Sequence, residues 1–277
     1  STTTVLKARP IDDSEHPSFM PPPVEEVVAT IEAERPGIVF APHVETSSGM
    51  ILPDDYLRSV ADAVHGVGGM FVLDCIASGA IWVDMKVSGV DVLISAPQKG
   101  WSSSPCAGLV MLNSVALERL KSTTSTSFAG DLRKWLEIMQ AYEKGGHAYH
   151  ATMPTDALAR FRDTMKETEA YGFSKVRGEQ QELGDKVRAL LVGKGIKSVA
   201  AEGFQAPGVV VSYTDDAGIQ DGKKFAEAGL QIAAGVPLRC DEPETFQTFR
   251  LGLFGLDKLH NIGRTVEFLD RGLNEIL

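Results

Sequence analysis

Two short apolar runs each hand a single charged residue to a loop. Met70-Phe71-Val72-Leu73 ends at Asp74, and Asp91-Val92-Leu93-Ile94 leads through Ser95-Ala96-Pro97-Gln98 to Lys99. Near-continuous apolar runs of this length, bounded by Gly, Pro and Ser, mark strands buried on both faces, as in helix-covered parallel sheets. In such sheets ligands sit beyond the C-terminal ends of the strands. Asp74 and Lys99 occupy that position, and Thr46 lies just past an earlier run, Ile38-Val39-Phe40-Ala41. The pattern predicts an α/β chain with a mostly parallel sheet and an acid and an amine at its functional edge.

The segments around these runs fill in the architecture. Val24 to Glu34 is an amphipathic helix stopped by Pro36-Gly37, and Asp54 to Val67 sets Leu57, Val60, Ala61 and Val64 on one face. Residues 82–84 lead into a short helix, and Gly108 to Leu112 reads as a further strand. Residues 1–23 open with a strand candidate, Thr4-Val5-Leu6-Lys7, and become a loop ending in Pro21-Pro22-Pro23. Pro154 to Leu191 is a long helical region broken near Gly172. Strands at 208–213 and 248–253, with helices over 218–228 and 260–277, form a smaller α+β unit. The expected division is a cofactor-binding large domain over 1–168 and a small domain over 169–277.

Composition narrows the partners. A net charge of -10 argues against nucleic acid, whose phosphates need concentrated Lys and Arg. No apolar run approaches the roughly 20 residues of a membrane span, and the first residues lack the basic and apolar regions of a signal peptide. Three widely spaced cysteines, Cys75, Cys106 and Cys240, suggest a reducing compartment, read here as the cytoplasm, and none has the spacing of a metal site.

An amine and a carboxylate so placed are what a pyridoxal phosphate site needs. Lys99 would hold the cofactor as a Schiff base, and Asp74 would keep its pyridine nitrogen protonated. Taken singly, each has a plainer reading: a strand-end Asp is usually a cap or a solvated loop residue, and most lysines are surface charges. Their shared register at two strand ends tips the balance toward function. Arg250 alternates with Phe249 and Leu251 and has Gly252 as its same-face neighbour, which leaves room for a ligand. Its planar fork suits a carboxylate. His43 and His150 read as satisfied loop histidines, and Trp101 either lines an entrance or packs.

With these residues in view, the chain resembles the class V aminotransferases of pyridoxal phosphate fold type I, in the alanine–glyoxylate and serine–glyoxylate branch. Four signatures carry the resemblance, from about residue 24 to the C-terminus: His43-Val44-Glu45-Thr46-Ser47-Ser48-Gly49, Asp74-Cys75-Ile76-Ala77-Ser78, Ser95 to Gly100, and Phe249-Arg250-Leu251-Gly252-Leu253. The resemblance implies that Thr46 bonds the cofactor near its phenolic oxygen, that Ile76 packs on one ring face, and that Gln98 is a phosphate ligand. It assigns Arg250 to the substrate α-carboxylate. A weaker match, Tyr149-His150-Ala151-Thr152-Met153-Pro154, implies that Tyr149 and Thr152 reach the cofactor phosphate of the opposite subunit of a homodimer.

The implied reaction moves an amino group from a small L-amino acid, alanine or serine, to glyoxylate or pyruvate. Ureidoglycine, hydroxykynurenine and pyridoxamine stay open as donors. A desulfurase-like lyase is disfavoured because Gln98, not histidine, precedes Lys99. The family's Gly-rich phosphate loop and stacking aromatic are not found in residues 1–23. The expectation is therefore a fragment of a longer polypeptide, with a non-catalytic piece of the same fold as the rival.

Overall fold

The structure, a computed structural model, describes residues 2–277. A short ladder between β1 (Arg9–Pro10) and β2 (Phe19–Met20) precedes α1 (Val24–Glu34), β3 (Ile38–Pro42), the hairpin β4 (Val44–Glu45) and β5 (Met50–Ile51), and α2 (Asp54–Gly66). Then come β6 (Met70–Asp74), α3 (Met85–Ser88), β7 (Val92–Ser95), β8 (Leu109–Leu112), α4 (Ser114–Lys121) and α5 (Leu132–Glu143). The long helices α6 (Thr155–Tyr171) and α7 (Phe173–Gly193) follow, parted at Gly172, whose φ of 106° no helix accommodates. The C-terminal part holds β9 (Val209–Tyr213), α8 (Ala217–Gln220), α9 (Lys223–Glu227), β10 (Ala233–Ala234), β11 (Thr248–Gly252), α10 (Leu256–His260) and α11 (Ile262–Ile276).

The first sheet runs β3-β6-β7-β8, parallel across β3, β6 and β7, with β8 antiparallel at the edge. The near-continuous apolar strands therefore do form a mostly parallel sheet. On one face α1 and α2 bury Val27, Ile31, Leu57, Val60 and Val64 against Phe71, Leu73 and Leu93. The other face is open along its edges, where Ile38 is 57% and Phe40 60% exposed. Strand alternation places Asp74 on that open face, since its partner in register is Pro42 and Phe40 pairs with Val72.

The second sheet, β10-β11-β9, is antiparallel and packs on α7, α10 and α11 through Val187, Leu191, Val210, Phe249, Leu251 and Leu273. The opposite face of β9 presents Val209, Val211 and Tyr213 to a third cluster with Phe19, Val44 and Met50. Thus β9 is buried on both sides, and the N-terminal arm is joined to the C-terminal sheet.

Three expectations need correction. Thr4 to Lys7 is not a strand: its Thr and Val have β propensity but no strand beside them to pair with. Residues 1–23 are more than a loop, because Phe19 is 2% exposed and its amide donates to Val199 O. The helix expected over 218–228 is two short ones, α8 and α9. Each of the two begins afresh, at the capping carboxylate of Asp216 and at the left-handed Gly222.

One buried carboxylate ties the first sheet's start together. Asp91, 1% exposed, accepts hydrogen bonds from the Phe71 amide at 2.8 Å and Asn113 Nδ2 at 2.7 Å, and meets His65 Nε2 at 2.9 Å. Asp91→Ala leaves the buried Phe71 amide and the half-buried Asn113 side chain unpaired, a loss of about 3 kcal/mol. Urea unfolding measures it; a loss below about 1 kcal/mol would mean that water replaces the carboxylate.

Candidate active site at the strand ends

The three parallel strands end level with one another. Pro42 is in register with Asp74, and Asp74 with Ile94. The main chain continues the pairing one step further: His43 N donates to Asp74 O at 2.8 Å, and Cys75 N to Ile94 O at 2.7 Å. Beyond these bonds the loops diverge and carry the side chains of interest.

Asp74 opens a tight turn in which its Oδ1 accepts the Ile76 amide at 2.9 Å. Its Oδ2 makes no hydrogen bond among the described residues, so one acceptor on the carboxylate is left for a ligand. The turn continues to Gly79, against which the Lys99 loop is pressed: a Cβ added at Gly100 would collide with the Gly79 carbonyl. Glycine at 100 is thus a requirement of close backbone approach.

The Lys99 loop is fixed on several other sides. Ser102 N donates to Lys99 O, and Ser103 N to Pro97 O, both at 3.0 Å. Trp101 packs among Trp82, Phe161 and Phe173 in a half-buried aromatic cluster. Ser102 Oγ accepts the Leu256 amide at 3.0 Å at the start of α10. To do so Ser102 takes a left-handed φ of 58°, a conformation costing a non-glycine residue about 1–2 kcal/mol. Lys99 Nζ stands 5.6 Å from the centroid of the Phe254 ring and makes no ion pair among the described residues.

Thr46 sits in the turn between β4 and β5. Glu45 ties that turn by accepting the amides of Ser47 and Ser48 at 2.8 Å each. Arg250, from β11 of the second sheet, reaches this turn: its Nη1 lies 3.5 Å from Thr46 O while its Nε donates to Ala234 O at 2.7 Å. Residues 204 positions apart in sequence are therefore neighbours. Gln98 is exposed. Tyr149 Oη and Thr152 Oγ1 hydrogen-bond each other at 3.1 Å, and Tyr149 is 71% exposed. Among the described residues neither bonds to Asp74, Lys99 or Arg250.

Sequence reasoning did not single out Phe254, Gly79 or Ser102. The one local sign was the pair of glycines, Gly79 and Gly100, placed close after the acid and the amine. Cys75, beside Asp74, is buried, and burial pushes its thiol up to about 12. A thiol so reluctant to ionise is no nucleophile.

The comparisons follow the geometry. No protein-family model matches the chain. The 2-aminoethylphosphonate–pyruvate transaminase of Paraburkholderia phymatum is 30% identical over 239 residues, which are 81% of this chain and 60% of that enzyme. Alanine–glyoxylate aminotransferase 1 of Saccharomyces cerevisiae is 29% identical over 77% of this chain and 57% of its own length. Among solved structures, the ureidoglycine–glyoxylate aminotransferase of Bacillus subtilis superposes with a TM-score of 0.76 at 21% identity, over 92% of this chain and 63% of its own. The alanine–glyoxylate aminotransferase of Nostoc sp. gives 0.75 at 21% identity, over 90% and 65%.

The chain is a homologue of the 2-aminoethylphosphonate–pyruvate and alanine–glyoxylate transaminases. Its fold is that of the pyridoxal phosphate-dependent fold type I enzymes, and it spans about 60% of the length of the first curated relatives it matches. The donor set suits the cofactor of this class at two ends. The free oxygen of Asp74 can take a hydrogen bond from a protonated ring nitrogen, and the unpaired amine of Lys99 can take the aldehyde carbon. Toward a phosphate the loop offers Gln98, on an exposed turn.

Behind the site His43 is 1% exposed, and its Nδ1 is 2.7 Å from Ser78 Oγ. Desolvation, helped by the Arg177 charge, lowers its pKa from 6.5 to about 4. The folded chain thus excludes a proton that the unfolded chain accepts below pH 6.5. The neutral ring's contribution is intact above 6.5, shrinks as pH falls through the window to about 4, and levels off below it. The total loss is about 3 kcal/mol. Urea midpoints across that window should fall less steeply in His43→Asn than in the wild type; parallel slopes would exclude His43 as the source.

Proposed function

We propose that this chain is the core of a pyridoxal phosphate-dependent aminotransferase, moving an amino group from a small L-amino acid, alanine or serine, to glyoxylate or pyruvate. The observation that carries the reading is the meeting of Arg250 with the Thr46 turn, because it adds a carboxylate clamp to an edge that already holds Asp74 and Lys99. A lysine and an aspartate alone would suit many cofactors or none.

When bound, the cofactor supplies an electron sink for the pair left at the substrate Cα on loss of its proton. The chain's residues do the rest. Lys99 Nζ would hold the cofactor as a Schiff base, and the same amine is the group that would take up the proton leaving Cα. Asp74 holds the ring nitrogen in its protonated form, as an opposite charge favours it. Arg250 grips the carboxylate bidentately and so aligns the Cα–H bond. Thr46 and Gln98 would bond the cofactor's oxygens, and Ile76 would pack on its ring. Tyr149 and Thr152 would serve the phosphate of a second subunit in a homodimer. Their exposure suits residues whose partner lies on another chain.

We assign the cofactor-binding unit to residues 1–168 and the smaller unit to 169–277, and place the protein in the cytoplasm, as its three free cysteines suit a reducing compartment. Gln98 in place of a histidine before Lys99 favours transamination over desulfuration, and Cys75, buried with its thiol pushed up to about 12, is a poor nucleophile. A second donor has specific support. Two relatives at 30% and 27% identity act on 2-aminoethylphosphonate with pyruvate, and a guanidinium grips a phosphonate as readily as a carboxylate.

Incubation with pyridoxal phosphate, borohydride reduction and peptide mapping should place a reduced adduct on the peptide containing Lys99, and Lys99→Ala should lose it. An adduct that survives this substitution removes the assignment. Arg250→Ala should weaken the grip on amino acid donors by about 2–4 kcal/mol, read as a raised KM. Comparing alanine with 2-aminoethylphosphonate in that variant tests whether one guanidinium serves both, and an unchanged KM for both would move the clamp elsewhere.

A further inference from the structure

We propose that His43 is a positioning residue that sets where Asp74 and Lys99 stand relative to each other, acting through Ser78. The geometry stands on its own, and its consequence for chemistry rests on the aminotransferase reading above. His43 follows β3 directly, and its amide holds the carbonyl of Asp74 at 2.8 Å. Its ring holds Ser78 Oγ at 2.7 Å, four residues further along the same loop. One residue thus braces both ends of the turn that carries Asp74 and Ile76. Its own carbonyl is fixed in turn by the Leu52 amide at 2.9 Å.

The brace continues into the lysine loop. Ser78 is followed by Gly79, whose carbonyl lies against Gly100, and Gly100 follows Lys99. Sheet register alone cannot do this work. It fixes Asp74 against Ile94, but Lys99 lies beyond the end of β7, where no ladder bonds remain. The path from His43 through Ser78 and Gly79 to Gly100 is what relates the two loops past the strand ends.

The chemistry of the pair suits a brace. Ser78 is 4% and His43 1% exposed, so neither meets substrate, and the pair is not a nucleophilic dyad. Burial keeps the ring neutral at ordinary pH, so it has one N–H and one bare nitrogen. A bond to a hydroxyl is then held in a single arrangement rather than shared with water.

The test compares the wild type with Ser78→Ala and His43→Asn, the second keeping a short polar group that can still reach Ser78. Hydrogen exchange without cofactor should quicken across residues 74–81 and 99–103 in Ser78→Ala, and less in His43→Asn. With pyridoxal phosphate bound, Ser78→Ala should weaken its binding about tenfold. It should also move the pH midpoint of the visible absorption band by about half a unit, because the Asp74 carboxylate shifts from the ring nitrogen. A pair that merely stabilises the fold would lower the melting temperature and leave that midpoint and the exchange at 99–103 unchanged, which overturns the proposal. If the wild type binds no pyridoxal phosphate, the functional reading fails, and exchange at 99–103 alone decides whether His43 couples the two loops.

Discussion

The parallel register of β3, β6 and β7 is the constraint on which the site depends. Side chains alternate along a strand, so a slip of one residue would turn Asp74 into the α1–α2 core and Leu73 out of it. Burying an unpaired carboxylate among Val27, Leu57 and Phe71 would cost several kcal/mol, and exposing Leu73 would forfeit about 2 more. The apolar face thus fixes the register, and the register places Asp74. Packing on one side of the sheet sets the chemistry available on the other.

What lies past the strand ends is held differently. There the ladder is replaced by close backbone approach, a histidine–serine bond, an aromatic cluster around Trp101 and a serine forced into a left-handed conformation. These contacts come from α6, α7, α10 and the turns after β3 and β6, so the Lys99 loop is held by segments far apart in sequence. The conformational cost at Ser102 is comparable to the net worth of the two hydrogen bonds it makes, so the packing around the loop helps hold it.

The same distinction explains what the sequence alone could disclose. Strands β3, β6 and β7 and helices α1 and α2 were legible because each carries an apolar period set by its own neighbours. The strand-end placement of Lys99 and Asp74 was legible because the apolar runs before them end where the strands do. Phe254 was not, since its approach to Lys99 arises from the placement of β11, more than a hundred residues away. Phe19 looked like part of a Pro-rich loop because nothing local reveals that β9 offers it a core. Thr4 to Lys7 misled in the opposite sense: strand propensity is only a fit to a pleated surface, and no such surface lies beside it.

Asp74 shares its face of the sheet with Phe40, and that face is unevenly covered. Ile38 and Phe40 are more than half exposed although parallel sheets are ordinarily buried on both sides. The exposure bears on the site's electrostatics. An ion pair open to water is worth at most about 1 kcal/mol, whereas one screened from water is worth several times more. Under the proposed function, how firmly Asp74 would hold a protonated ring nitrogen is therefore set by what lies over the open face as well as by where the carboxylate stands. Register, loop bracing and cover act in sequence: the first places the acid, the second relates it to the amine, and the third decides how strongly the two charges are felt.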